Sequence, residues 1–225
     1  MPNLYIIATP IGNLEDITLR ALRVLKEVDV ILCEDTRQTK KLIERYDIKK
    51  PLISYHHHSK IGKLDLIAGM LSENKDLALV SDAGTPGISD PGNLLIKHLI
   101  DEKIDVNIIP VPGPSGVIAA LSISGFPTDR FIFLGFVPHK KGRQTFFENL
   151  AKENKTVIFY ESPHRILKTL DSLIKYVPEK KIVICRELTK IYETIYRGKP
   201  QEVMKKITPD QVKGEFIVIV DADRN

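Results

Sequence analysis

The chain has 225 residues, of which 43% are hydrophobic and 28% charged, the balance of a globular protein with enough apolar side chains for two small domains. Its longest apolar stretches are only strand-sized, which argues against a membrane-spanning helix. The opening Met1-Pro2-Asn3-Leu4 lacks the basic region and long apolar core of a secretory signal. A formal net charge of +4 is too small to establish nucleic-acid binding, although a local basic surface still matters because phosphate contacts are electrostatic.

Residues 4–8 (LYIIA) read as a buried strand. A helix follows, with Asp16 or Thr18 as its cap and Leu19, Leu22, Leu25 and Val28 on one face. Residues 30–33 form a second strand, and Thr36 then caps a short helix carrying Leu42, Ile43 and Tyr46. A third strand covers 52–54, after which Ile61, Leu64, Ile67, Ala68 and Leu71 keep helical spacing. A fourth strand is expected over 77–81, and Pro91 fits the first turn of a helix bearing Leu94, Leu95 and Leu99. Residues 106–109 form a fifth strand. This alternation predicts a mostly parallel sheet with helices on both faces, where ligands sit outside the carboxyl ends of the strands.

The second half has another texture. Strands are expected at 131–135, 156–160, 181–186, 193–197 and 215–220, and helices at 144–153, 164–176 and 201–206. Two successive strands without a helix between them, around Thr189 and Lys190, predict a partly antiparallel sheet. The junction falls within 110–114, giving an N-terminal α/β domain, 1–112, and a C-terminal mixed α/β domain, 113–225. The two cysteines, Cys33 and Cys185, sit in strand-like runs and read as buried reduced thiols. No metal site is expected. His56, His57 and His58 are adjacent, so on an extended segment they point to alternate sides, and no Cys/His spacing suggests zinc.

The segment SDAGTPGISDPG (81–92) follows an apolar strand and precedes a helix. Gly84, Gly87 and Gly92 let the backbone approach a ligand closely, and amides at the helix start can hold an anion. The plain alternative is a tight turn without a ligand. It is no nucleoside-triphosphate loop, because it has no lysine. TPIGN (9–13) has one glycine where the dinucleotide fingerprint needs three. PVPGPSG (110–116) is a rigid connector whose Ser115 can cap the next helix, with ligand contact still open.

Three charged motifs leave strands. CEDTR (33–37) offers Glu34, Asp35 and Arg37; the acids also suit a helix start, but Asp35 and Arg37 are read as facing a cleft. YESPHR (160–165) and CRELTK (185–190) each set a glutamate beside an arginine or histidine. Ordinary ion pairs explain either one, whereas two in one domain suggest a polar pocket. HKKGR (139–143) is the densest basic loop, and a second basic group comprises Arg37, Lys40, Lys41, Arg45, Lys49 and Lys50. Each is either a solvated surface or a phosphate contact.

The order TPIGNLEDITLRAL, CEDTR, SDAGTPGISDPG, PVPGPSG, FPTDRFIFLGFVPHKKGR, IFYESPHR, CRELTK and GEFIVIV spans nearly the whole chain. It resembles the ribosomal RNA small-subunit methyltransferase I family of the tetrapyrrole methylase superfamily. The resemblance implies a two-domain α/β tetrapyrrole-methylase-like fold with S-adenosyl-L-methionine in the cleft between the domains. It also implies a cytoplasmic homodimer that 2′-O-methylates a cytidine in the decoding region of 16S rRNA, free or within the 30S subunit. By motif position, the cofactor would meet Pro10, Ile11 and Gly12, then Asp82, Ala83, Gly84, Thr85 and Ile88, then Ser115 and Gly116. From the second domain it would meet Tyr160, Glu161, Gly214 and Glu215. Such proteins commonly continue past GEFIVIV with a short helical extension, whereas this chain stops at Asn225, so RNA presentation is expected to rest on the two core domains.

A ribose hydroxyl is a weak nucleophile that gains from a base. Asp35, first, then Glu161 and Glu187 are the candidates. Arg37, Lys140, Lys141, Arg143, Arg165 and Arg186 are the candidate RNA contacts, with arginines also able to orient a carboxylate. Two other readings stay open. A precorrin or porphyrin methylase shares the resemblance, but such proteins usually carry a glycine-rich first loop, unlike TPIGN. A non-catalytic RNA- or nucleotide-binding protein is disfavoured by the polar residues gathered at strand ends.

Overall fold

The computed structural model describes residues 1–56, 61–90 and 92–222. His57, His58 and Pro91, used in the sequence reading, lie outside them. The chain divides into two compact units, Met1–Ser115 and Gly116–Asn225.

The first unit alternates strand and helix: β1 (Asn3–Ile7), α1 (Leu19–Glu27), β2 (Val30–Cys33), α2 (Thr36–Arg45), β3 (Leu52–Ser54), α3 (Ile61–Ser72), β4 (Leu77–Val80), α4 (Gly92–Asp101) and β5 (Asn107–Val111). Every pairing is parallel, in the order β3-β2-β4-β1-β5. The strands are apolar on both faces because each face carries its own core. Ile7, Ile31, Cys33, Ala78 and Val80 pack with residues of α1 and α2, while Leu4, Ile6, Val30, Leu32, Leu77 and Leu79 pack with residues of α3 and α4. The chain leaves β1 towards β2 and leaves β4 towards β5, in opposite directions along the sheet. That divergence opens a crevice at the carboxyl ends of neighbouring β1 and β4, the place where ligands bind in sheets of this kind.

Two helix details differ from expectation. Thr18 caps α1, its hydroxyl accepting the Ala21 N–H at 3.1 Å, while Asp16 lies in a preceding 3-10 turn. The buried stripe is Ala21, Val24, Leu25 and Val28, and Leu19 is 86% exposed. These positions keep i, i+3, i+4, i+7 spacing, and small Ala21 lets the helix approach the sheet. In α2 the cap is Asp35 rather than Thr36, with its Oδ1 accepting the Arg37 N–H at 2.8 Å. Tyr46 ends that helix and donates its hydroxyl to the Leu14 carbonyl at 2.7 Å.

The second unit holds α5 (Gly116–Ser122), β6 (Phe131–Phe136), α6 (Arg143–Lys152), β7 (Thr156–Glu161), α7 (Ile166–Tyr176), β8 (Ile182–Arg186), β9 (Thr194–Gly198), α8 (Pro200–Lys206) and β10 (Phe216–Val220). Its sheet order is β6-β7-β10-β8-β9, with β6 parallel to β7 and the remaining pairs antiparallel. The main core joins Val157, Phe159, Ile184, Phe216 and Val218 to apolar residues of α6, α7 and α8. Helix α5 packs on β10 and β7. A Cβ on Gly116 would stand 3.1 Å from Ile217 Cδ1, so glycine there permits the close approach.

Candidate functional site

In the first unit, adjacency of β4, β1 and β5 brings three loops together. Thr9 and Gly84 exchange backbone hydrogen bonds of 2.9 and 3.0 Å. The Thr9 hydroxyl donates to the Ser81 carbonyl at 3.0 Å, and the Thr85 hydroxyl to the Pro114 carbonyl at 3.3 Å. Gly84 sits at φ +82°, which favours glycine. The residues Pro10, Ile11, Gly12, Asp82, Ala83, Gly84, Thr85 and Ser115 all belong to these three loops. Gly12, Asp82 and Ala83 are exposed, while Pro10 and Gly84 are buried beneath them.

One expectation for the glycine-rich loop changes. The Gly92 N–H, at the start of α4, donates to Asp90 Oδ1 at 2.8 Å, and the same oxygen accepts from Gly87. The loop therefore satisfies that amide itself and does not hold it out for an anion. Ile88 is exposed and lines a depression of about 450 Å³ against α4, with Pro86, Gly87, Asn93 and Ile96.

The end of β2 meets the end of β4 through the Asp35 N–H, which donates to Asp82 Oδ1 at 3.0 Å. The Asp35 carboxylate itself is engaged by Arg37, with Nη2 2.6 Å from Oδ2 and Nε 3.0 Å from Oδ1. The Arg37 side chain, then its backbone N–H, hold the Asp35 carboxyl down at about 2. That makes Asp35 a helix cap and a poor proton acceptor. Asp82 moves the other way. Although the residue is exposed, loop atoms limit hydration of its carboxyl and raise its proton affinity, against the Asp35 N–H; the Asp35 charge raises it further.

In the second unit the YESPHR motif turns inward. The Glu161 side chain has no exposed surface. Its Oε1 accepts from Ser162 N at 2.7 Å and from Arg165 Nη2 at 2.8 Å. Its Oε2 accepts the Thr169 hydroxyl at 2.6 Å and lies 3.7 Å from Arg143 Nη1. Arg143 also donates to Thr169 Oγ1 at 2.9 Å and lies over the Phe147 ring, 5.1 Å from its centroid. Arg165 donates to Ser162 Oγ at 3.0 Å and to the Val137 carbonyl at 2.7 Å. A carboxylate buried this deeply needs such partners, so Glu161 holds the unit together and does not stand open to a substrate.

The CRELTK motif closes a different clasp. Glu187 and Thr189 have left-handed φ values of 52° and 65°. Glu187 Oε1 accepts the Glu215 N–H at 2.9 Å and the Lys190 ammonium at 3.0 Å, and Lys190 also reaches Glu215 Oε2 at 3.2 Å. Burial works to raise the Glu187 carboxyl, but the Glu215 N–H, Lys190 and the Arg186 charge outweigh it and hold the group below its usual range. Gly214, at φ +86°, leaves the space the carboxylate occupies, since a Cβ there would collide with Glu187. Tyr160 packs with Phe133 and Phe136 at centroid distances of 5.1 and 5.3 Å, and a Cβ on Gly116 would lie 3.7 Å from its hydroxyl.

The candidate RNA contacts divide. Arg37, Lys140 and Lys141 are exposed. Arg143 and Arg186, only 8% and 9% exposed, are not available to a phosphate, nor is the guanidinium of Arg165, which is spent on Glu161, Ser162 and Val137. Arg186 donates to the Lys213 and Tyr192 carbonyls at 3.0 and 3.2 Å. Sequence reasoning missed Thr169, which both donates to Glu161 and accepts from Arg143; a threonine on an otherwise apolar helix face was its only signal. It also missed the Thr9–Gly84 bridge, for which no sequence signal exists. Among the described residues no group of three or more His, Cys, Asp or Glu side chains is placed to hold a metal. Cys33 and Cys185 are buried free thiols.

A profile of the family described as Tetrapyrrole (Corrin/Porphyrin) Methylases matches residues 3–204. The chain is 44% identical over 220 residues to the ribosomal RNA small subunit methyltransferase I of Thermotoga maritima, covering 98% of each. It is 48% identical to the protein of that name from Halalkalibacterium halodurans, over 98% of this chain and 76% of the relative. Among solved structures, the cobalamin biosynthetic enzyme cobalt precorrin-4 methyltransferase superposes with a TM-score of 0.74 at 19% identity, covering 97% of this chain and 94% of that one; that likeness speaks for the fold alone. With a profile match over residues 3–204 and relatives at 44% and 48% identity over nearly the whole chain, the chain belongs to the tetrapyrrole methylase family, among the ribosomal RNA small subunit methyltransferase I proteins.

Proposed function

We propose that this protein is an rRNA methyltransferase that moves a methyl group from S-adenosyl-L-methionine to the 2′-hydroxyl of a cytidine in the decoding region of 16S rRNA. The observation that carries the reading is the joining of three loops at the β1–β4 crevice by the Thr9–Gly84 bridge and the Thr85–Pro114 hydrogen bond. The relatives' names supply the substrate class. The loops suit this donor: Gly12, Ala83 and Gly84 keep side chains out of the way, and the exposed Asp82 carboxylate complements a cationic ligand.

The donor supplies an electrophilic methyl group. The protein's contribution is positioning, because transfer needs the acceptor oxygen aligned behind the carbon. The hydroxyl proton goes to Asp82 in this reading. Asp35, Glu161 and Glu187 are each engaged by a cation, whereas Asp82 Oδ2 has no hydrogen-bond partner among the described residues. In this reading the protein works in the cytoplasm, because that is where its rRNA substrate would be; separately, among the described residues no helix is long and apolar enough to cross a membrane. A homodimer is the expected assembly, with exposed Ile88, Leu94 and Ile100 offering apolar contact area. Light scattering should then give twice the 25.4 kDa chain mass.

The deciding experiment offers labelled donor with 30S subunits, naked 16S rRNA or a tetrapyrrole, and maps ribose methylation by resistance to alkaline hydrolysis. Transfer to a cytidine 2′-oxygen supports the reading. Transfer only to the tetrapyrrole, or no transfer to any acceptor, refutes it.

A further inference from the structure

Register sets the ends of β2 and β4 opposite one another. These strands are parallel neighbours with Leu32 paired to Leu79, and Asp35 and Asp82 each lie three residues further on. The contact between them is the Asp35 N–H, which donates to Asp82 Oδ1 at 3.0 Å. The other polar atoms of Asp35 are engaged as well. Its carbonyl accepts the Gln38 and Thr39 amides, each at 3.1 Å. Its Oδ1 accepts the Arg37 amide at 2.8 Å, and its two carboxylate oxygens hold the Arg37 guanidinium. The amide that Asp82 meets therefore cannot shift without loosening the first turn of α2.

The residue type at this position carries more than capping needs. Serine, threonine or asparagine would also cap the helix, and none would set a second negative charge beside Asp82. Limited hydration comes first among the causes that raise the proton affinity of Asp82, and the Asp35 charge adds to it; the Asp35 N–H and Arg37 oppose them. Cys33, buried at the end of β2, is near enough for its thiol to feel the Asp82 charge. Asp35, Arg37 and Cys33 are thus the titratable groups among the described residues that bear on Asp82. Two carboxylates brought together repel when both are ionised, and such local conflicts concentrate at functional positions. With Oδ1 on the Asp35 amide, Asp82 keeps Oδ2 without a hydrogen-bond partner among the described residues.

We propose that Asp35 is a positioning residue for methyl transfer: as the charged cap of α2 it fixes the amide that holds Asp82 Oδ1, and so keeps Oδ2 available to the acceptor hydroxyl. The inference rests on Asp82 as proton acceptor in the reading above. The hydroxyl proton passes to Oδ2 while Oδ1 stays on the amide. CEDTR then serves the reaction without the Asp35 carboxylate taking a proton. Arg37 has a part in this, because its guanidinium holds the Asp35 side chain in the capping geometry.

The test compares Asp35→Asn, Asp35→Ala, Asp82→Asn and the double variant D35A/D82N in rRNA methylation, with thermal stability and calorimetric binding of S-adenosyl-L-methionine measured alongside. Asparagine keeps the cap and the amide but not the charge. Its turnover should fall by less than about tenfold, and the acid limb of its pH–turnover profile should move to lower pH, because the neighbouring charge that favours protonation is gone. Alanine loses the cap as well, and a misplaced carboxylate should lower turnover by about 100-fold. In the Asp82→Asn background the same alanine should cost almost nothing further, because the group it positions is already gone. By NMR, the Asp35 amide proton of the wild type should follow the ionisation of Asp82 and should stop doing so in Asp82→Asn. An amide that does not follow it, equal alanine losses in the two backgrounds, or an unmoved acid limb in Asp35→Asn overturns the inference. Full turnover in Asp82→Asn refutes the proton acceptor and this inference with it. Failure of the wild type to methylate rRNA would instead refute the function, and the amide titration would still report on the contact.

Discussion

Replacing Gly214 with alanine should unlock the clasp that joins the end of β8 to the start of β10. Two costs add. A side chain at φ +86° costs about 1–2 kcal/mol for an L residue. The new Cβ also collides with the Glu187 carboxylate, which must leave its acceptor position for the Glu215 N–H and Lys190. A hydrogen bond to a charged group contributes about 1.5–3 kcal/mol, and the Glu187 side chain is only 16% exposed, so water restores little of it. The reduced freedom of the unfolded chain returns about 0.4–1 kcal/mol. The net expectation is a loss of roughly 2–4 kcal/mol, read as faster amide exchange of the buried β10 strand in a urea series. The same substitution in a Glu187→Ala background has no carboxylate to strike, so only the backbone cost less the same unfolded-chain term, about 0–1.6 kcal/mol, should remain. Equal losses in the two backgrounds would show that Gly214 is there for its backbone alone and that the clasp does not exist.

Asp35 should titrate by NMR with a midpoint near 2, and Arg37→Ala should return it towards the ordinary carboxylate range. Because its folded value lies below its unfolded one, its contribution to stability is present above about pH 4 and disappears as pH falls towards 2; a wild-type midpoint near 4 would contradict the pairing. Asp82→Asn should lower turnover by about 100-fold or more, as for loss of a general base, with a smaller loss of donor affinity from the missing complementary charge, while Asp35→Asn should cost less than about tenfold. The reverse order would restore Asp35 as proton acceptor. Burial pushes the Cys185 thiol up to about 12, so a thiol reagent at pH 8 should modify it only after unfolding; rapid labelling of the folded protein would show that β8 opens readily.

Much of the fold was legible because the strands announce themselves. The expected bounds of β2 and β3 agree with the structure residue for residue, and the others differ by one or two positions at their ends, where assignments fray in any case. The phase of α1 was not legible, because the segment carries two overlapping apolar stripes and only contact with the sheet selects Ala21, Val24, Leu25 and Val28. Asp35 and Thr36 are both good caps, and the choice between them depends on which side chain reaches an amide two residues on. The three loops were legible from glycine and proline spacing. Their joining was not, because Thr9 meets Gly84 only after β1 has been inserted between β4 and β5.

The charged motifs misled in one consistent way, and the reason is physical. CEDTR, YESPHR and CRELTK each place an acid and a base within a few residues of one another, which reads as a reactive site. Neighbours in sequence at the end of a strand are also the groups most easily brought within hydrogen-bonding distance. Asp35 finds Arg37, Glu161 finds Arg165, and Glu187 finds Lys190. Once paired, a carboxylate has its oxygens occupied and a guanidinium loses the donors it would offer to phosphate. Chemistry is therefore better sought in charges whose sequence neighbours cannot neutralise them. Asp82 is flanked by Ser81 and Ala83; limited hydration in the loop, then the Asp35 charge, raise its proton affinity, and Arg37, which opposes this, already serves Asp35. Lys140 and Lys141 have only each other, His139 and glycine alongside. The proton acceptor proposed here comes from that unneutralised set.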